Sequence, residues 1–292
     1  MVRRGGWAAS LALVAAALLF GSTFLVVQDA VESVEPLPFL TVRFAIGTAA
    51  LAPLALRRGT TDLRTPGLLK AGALAGVALT AGYVLQTIGL QYTTSSVSAF
   101  LTYLLVVFVP LIVAVRTRRL PPWPTVAGVA IAVGGLALLG GGPDVGAGRG
   151  ELLTLGCALA FAVHLLVLAD AAPRLPVAAL SAVQFAVVAG VLVVPGVLAG
   201  GYRFDGGAWA AAVYTGVAVT AVGLGLQAWG QRRVSATRVA ILLLIEPVSA
   251  AVLGFAAGER LGMAGGAGAA LILAGILVSE LAVPVAPRPE DA

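Results

Sequence analysis

Apolar residues fall along the chain in ten runs, at about 7–27, 37–56, 68–92, 97–115, 123–140, 151–170, 177–199, 208–230, 239–257 and 263–283. Each is near the roughly 20 residues that a helix needs to cross the hydrocarbon core of a bilayer. The runs lack the alternating signature of a β-barrel. A single segment satisfies its own backbone in lipid only as a helix, so the pattern predicts ten transmembrane helices. The interruptions carry turn and charge signals: Glu32 to Pro38, Arg57 to Gly67, Arg116 to Pro124, Gly140 to Gly150 and Gly200 to Gly207. The first run follows Arg3 and Arg4. It is longer than a usual signal-peptide core, and no small-x-small cleavage pattern precedes Gln28, so it is expected to remain as a span.

Composition sharpens this picture. Of 292 residues, 60% are hydrophobic and 11% charged, with a mean hydropathy of +1.02. A water-soluble fold cannot cover its surface with so few charges. One cysteine, Cys157, excludes an intramolecular disulfide and a cysteine metal cluster. One histidine, His164, excludes the histidine sets of zinc hydrolases. No phosphate-binding loop is present, which argues against direct ATP hydrolysis. Neither a cofactor nor a metal is expected.

The net charge of +5 reports orientation rather than nucleic-acid binding. With the N-terminus inside, the inner segments hold 14 of the 18 Lys and Arg, the outer loops hold Arg149, Arg203 and Arg260, and Arg43 lies within a span. The first outer loop carries Asp29, Glu32 and Glu35 and no base. The expected topology is a multi-pass protein of the cell membrane with both termini cytoplasmic.

Sliding the chain against itself by 141 residues aligns ALLFGSTFLVVQDA (17–30) with ALAFAVHLLVLADA (158–171). The same offset pairs Arg43 with Gln184, and Gln86 with Gln227. An offset of 140 pairs GVALTA (76–81) with GVAVTA (216–221), and Pro110 matches Pro247 after a gap. A repeat of five spans is odd in number, so the second copy enters from the opposite face. The expected fold is therefore all-α and polytopic, with ten transmembrane helices in two inverted five-helix repeats. Its units are residues 1–140 and 151–283, followed by a short cytoplasmic tail at 284–292. Inverted repeats suit alternating access, because exchanging the conformations of the halves turns an inward-open site outward.

At this point the residues resemble a known family, the drug/metabolite transporter superfamily in its ten-helix EamA-like branch. The resemblance rests on FGSTF (20–24), where the family usually has Trp at the position of Phe20, and on Pro36 followed by Arg43-Phe44. It rests further on GLQYTTSSVSAFLT (89–102), QRRVSATRVAILLLIEPVSAAVLGFAAGERLG (231–262) and GAALILAGILVSE (268–280). The resemblance implies a transporter that moves a small metabolite through a cavity between two five-helix halves. Many members export amino acids or related compounds.

Several polar residues are candidates for the site. Glu246, beside Pro247 in the ninth run, is costly in hydrocarbon and marks a functional position by default. It can bind a coupling proton or a cationic substrate group, or it can shape a helix break. Arg43 can attract an anion, pair with Asp29, Glu32 or Glu35, or snorkel to the interface. His164 can line the cavity or relay protons. Thr23, Gln86, Thr102, Tyr103 and Gln227 complete the expected substrate-binding set. Pro110 and Pro247 are expected to mark helix breaks at the cavity, and Arg43 a structural or charge-pairing position. Gly72-x-x-x-Gly76 and Gly262-x-x-x-Gly266 predict close helix contacts.

The expected function is a secondary transporter that exports a small metabolite. The alternatives are a flippase or nucleotide-sugar carrier, with an intramembrane enzyme further off for want of a paired acid and base. A channel would call for rings of like charge. The expected partners are a small-molecule substrate, the lipid bilayer and protons as coupling ion, without nucleic acid; a homodimer is compatible with the pattern. A reporter active only in the periplasm, fused after the last span, is expected to be silent; activity there would overturn the assigned orientation.

Overall fold

A computed structural model describes residues 2–57, 65–93, 95–139, 148–256 and 262–281. Over these residues the chain is helical, without strands. The tail expected at 284–292 and Arg260 lie outside the described residues, and the side chains of Asp29 and Glu32 are not described. The helices in order are α1 (Val2–Gly21), α2 (Thr23–Ser33), α3 (Pro36–Ala55), α4 (Leu68–Gly89), α5 (Ser95–Tyr103), α6 (Leu105–Thr117) and α7 (Trp123–Leu139). There follow α8 (Arg149–Ala171), α9 (Val177–Leu198), α10 (Gly206–Tyr214), a π-helical segment (Thr215–Leu224), α11 (Gly225–Gly230), α12 (Ala236–Leu242), α13 (Ile245–Ala256) and α14 (Gly262–Leu281).

Eight helical stretches are long and apolar enough to cross a membrane, and two shorter apolar helices, Trp7–Gly21 and Trp123–Leu138, accompany them. Only 33% to 56% of each spanning window is buried within the protein. Much of the remainder is exposed and still apolar, including Val115, Leu198 and Met263. Such a surface is stable against lipid and not against water. The chain is a polytopic helical membrane protein.

Local chemistry sets the helix ends. Pro36 opens α3, where its fixed φ suits the first turn and its missing N–H is not needed. The Asp205 carboxylate accepts the Ala208 N–H at 2.7 Å and caps α10. After α9, Gly200 and Gly201 take φ of 120° and 79°, and the reversal this permits is open to glycine at little cost.

Packing is pairwise. Helix α7 runs along α14, α3 along α9, and α4 against both α8 and α9, while α1 lies on α11, α13 and the π segment. Glycines allow these approaches. A Cβ on Gly275 would stand 2.6 Å from the Gly128 carbonyl oxygen, and one on Gly135 would stand 2.6 Å from that of Gly268. Gly72 and Gly76 likewise face Val183 and Val187 of α9, as their spacing predicts. Gly262 and Gly266 do not behave so: a Cβ on either would meet nothing within 4 Å. The seam against α7 is carried by Gly268 and Gly275 instead, because those positions point across the helix pair.

Gly275→Val is expected to destabilise the protein by about 1–3 kcal/mol, because the obstruction is backbone that cannot yield. Gly266→Ala, facing open space, is expected to melt at or slightly above the wild-type temperature. Thermal unfolding of both variants in detergent checks the pair.

Candidate functional site

Irregular backbone occurs at four places within the spans. Ser22 separates α1 from α2, Leu104 separates α5 from α6, Leu243 and Leu244 separate α12 from α13, and the π segment lies between α10 and α11. Each is satisfied locally. The Ser22 and Thr23 hydroxyls donate to the carbonyls of Leu19 and Phe20, both at 2.6 Å. At Leu104 the amide donates to Leu101, and the Val107 amide donates back to Leu104. Pro247 has no N–H to give the Leu243 carbonyl, and the Glu246 amide takes that acceptor at 2.9 Å in a tighter turn.

A break thus lies just ahead of Pro247, whereas none falls at Pro110. Pro110 lies buried inside α6, and the break falls at Leu104, ahead of it. The turn there is made by bonds of the i→i−3 type around Leu104, to which the proline ring does not contribute.

These irregularities surround one cavity of about 90 Å³. Phe20 and Thr23 reach it from the first break, Tyr103 and Leu105 from the second, Leu243 and Glu246 from the third, and Val219 and Leu224 from the π segment. Thr23, Gln86, Thr102, Tyr103, His164, Gln227 and Glu246 all line it. Helices α7, α9 and α14 contribute no lining residue.

Arg43 also faces this cavity, and it does not snorkel: it is 2% exposed. Its Nε donates to the Thr220 hydroxyl of the π segment at 3.0 Å and its Nη2 to the Tyr83 hydroxyl at 3.3 Å. The guanidinium carbon stands 4.8 Å from the Tyr83 ring centroid and 5.6 Å from that of Phe44, within reach of cation–π attraction. Tyr83 in turn meets the ring edges of Phe44 and Phe161. The acidic partners expected for Arg43 were the residues of the first loop. Of these, Glu35 is exposed.

On the acidic side, the Tyr103 hydroxyl is hydrogen-bonded to Glu246, and the positive charge of Arg43 acts on the same carboxylate. Gly21 lets α1 close onto this region, since a Cβ there would stand 2.7 Å from the Glu246 carbonyl oxygen. Gln86 donates to the Thr102 hydroxyl at 3.2 Å, and Gln227 donates to Gln231 at 3.3 Å, which donates on to the Leu165 carbonyl. His164 bonds through Nε2 to Gln184 Oε1 at 2.8 Å. Sequence reasoning did not single out Thr87, Phe161 or Thr220. Threonines and phenylalanines are common in apolar helices, and nothing in their spacing separates a wall residue from a packed one.

The arrangement holds a guanidinium and a carboxyl group in one cavity walled by aromatic rings, amides and hydroxyls. It can bind a small polar molecule and, with helices broken around it, can change shape. The profile of the EamA-like transporter family matches residues 7–141 and again residues 148–281. The chain belongs to that family, and so to the multi-pass membrane transporters of the drug/metabolite transporter superfamily. An uncharacterized transporter of Archaeoglobus fulgidus is 37% identical over 157 residues, 54% of this chain and 47% of that protein; the match thus spans about half the length of that relative. A solved crystal structure superposes with a TM-score of 0.79 over 94% of this chain and 96% of its own, at 23% identity, which shows the fold alone. Family and relative point to transport rather than catalysis.

Thr220→Val keeps the shape of the π segment but removes the acceptor of Arg43 Nε. It is expected to lower stability by about 1–3 kcal/mol, the range for a hydrogen bond to a charged group. Chemical unfolding in mixed micelles, compared with Thr48→Val as a control away from the cavity, measures it.

Proposed function

We propose that the protein is a secondary active exporter of a small zwitterionic metabolite, an amino acid or a close relative, working by alternating access. The observation that carries this reading is the presence of Arg43 and Glu246 on the wall of one cavity. A buried charge without a counterpart is costly, and a zwitterion brings one counterpart for each. Its carboxylate pairs with Arg43 and its ammonium group with Glu246, while Tyr83, Tyr103, Phe20 and Phe161 accept the apolar part. A cavity of this size suits a small metabolite better than a lipid or a nucleotide sugar.

The carrier works as two inverted five-helix repeats, residues 1–140 and 151–283, making ten spans with both termini cytoplasmic in the cell membrane. Helix contacts support this reading, because they come in exchangeable sets. Helix α3 meets its counterpart α9, and α7 meets α14; the contact of α4 with α8 is mirrored by that of the π segment and α11 with α1. Halves that exchange conformations expose the cavity to the two faces in turn. Protons are the coupling ion, and Glu246 is the group that binds and releases them.

Proteoliposome uptake of a radiolabelled amino-acid panel, with and without a proton gradient, tests the function. Glu246→Gln is expected to bind substrate more weakly, having lost the partner of its ammonium group, and to fail to accumulate it against a gradient, since the amide has no proton to release. Wild-type accumulation by this variant would leave the carboxylate a structural group. Absence of transport by the wild-type protein for the whole panel and its analogues would remove the amino-acid assignment.

A further inference from the structure

Behind the cavity wall lies a polar side chain that packing does not explain. Gln184 is 0% exposed and belongs to α9, which contributes nothing to the lining. Its Oε1 is bonded to His164 Nε2 at 2.8 Å, and its Nε2 has no partner among the described residues. A fully desolvated amide with an unpaired NH₂ group costs stability, and an apolar residue of similar volume would be the better core residue. What the amide does achieve is a single bond to the ring of His164. That ring is 2% exposed, and His164 is among the residues that line the cavity.

A neutral imidazole carries one donor nitrogen and one acceptor nitrogen, and the partner of one decides the character of the other. Oε1 can only accept, so Nε2 must carry the proton. Nδ1 is then left as an acceptor.

We propose that Gln184 is a positioning residue: it holds His164 with the ring proton on Nε2, so that Nδ1 meets the transported molecule as a hydrogen-bond acceptor. His164, Glu246 and Arg43 all line the cavity, so an acceptor Nδ1 adds to the acceptors of its wall. That added acceptor selects cargo with an N–H or O–H donor, such as a primary ammonium group, and discriminates against a quaternary ammonium of the same charge. The offset of 141 that pairs Gln184 with Arg43 gives the two positions related tasks. Arg43 reaches the cavity itself, and Gln184 acts on it through His164. The specificity claim rests on the transport reading, but the tautomer claim does not.

His164 is the one histidine of the chain, so labelling histidine with ¹⁵N on both ring nitrogens gives spectra that need no assignment. In the purified full-length protein, at a pH where the ring is neutral, the protonated nitrogen is expected to be Nε2. Gln184→Leu is expected to lose that preference and move the ring toward the Nδ1-protonated form or a mixture. Gln184→Glu, whose carboxylate also accepts, is expected to retain the wild-type pattern and so serves if Gln184→Leu does not fold. A proton on Nδ1 in the wild type, a wild-type spectrum from Gln184→Leu, or loss of the Nε2 proton in Gln184→Glu would each overturn the proposal. A merely structural role for Gln184 would lower melting temperature without moving the proton.

The spectra need no cargo, so their failure leaves the transport reading standing, and a failed uptake panel leaves the spectra interpretable. For any radiolabelled amino acid that the proteoliposomes carry, Gln184→Leu is expected to raise KM roughly five- to tenfold with kcat little changed, the effect of one misdirected hydrogen bond. Its N-trimethylated analogue is expected to compete poorly with the wild type; equal competition would sink the specificity claim.

Discussion

Backbone amides and carbonyls left bare in hydrocarbon cost several kcal/mol each, and the rest of this structure follows from where that cost can be avoided. Over most of the chain it is avoided by continuous helix. Where the helix is interrupted, at Ser22, Leu104, Leu243–Leu244 and the π segment, the neighbouring residues line the cavity. Hydroxyls of Ser22 and Thr23 and short i→i−3 bonds take up the freed groups. The same interruptions carry Thr23, Tyr103 and Glu246 to the cavity wall, so the places where the helix is broken are also those that supply binding chemistry.

Away from the cavity the helices pack closely. The α7–α14 pair meets through glycines whose backbones nearly touch, and its members stay off the cavity. Helix α3 is different, for it packs through Gly47 against Thr220 of the π segment and also sends Arg43 into the cavity. Arg43 thereby joins the site to the least regular stretch of the bundle.

Electrostatics gives the cavity its polarity. Arg43 is surrounded by Tyr83, Phe44 and Thr220, all of which favour a cation, while Glu246 receives the Tyr103 hydroxyl. Among the described residues neither group has a close ionic contact of its own, unlike the exposed Arg116–Asp170 pair at 2.6 Å. Exposed pairs of that kind contribute little. Arg43 and Glu246 lie instead on the wall of the cavity inside the bundle.

Much of the architecture was legible in the chain, because lipid enforces a simple rule: long apolar segments without charge become spanning helices. The positions of the spans, the polar residues Thr23, Gln86, Thr102, Tyr103, His164, Gln227 and Glu246 that gather at the cavity, and the close approach at Gly72 and Gly76 could be read this way. A polar group at membrane depth has to face protein or water, so its presence already says where it points. What the chain could not supply was the pairing of groups distant in sequence. That Arg43 turns inward to Thr220, that Gln184 stands behind His164, that the α7–α14 seam uses Gly268 and Gly275 rather than Gly262 and Gly266, and that the fourth-span break falls at Leu104 and not Pro110 were decided by tertiary contact. Local sequence fixes which helical face is polar or small. Only the neighbouring helix fixes which of those residues finds a partner.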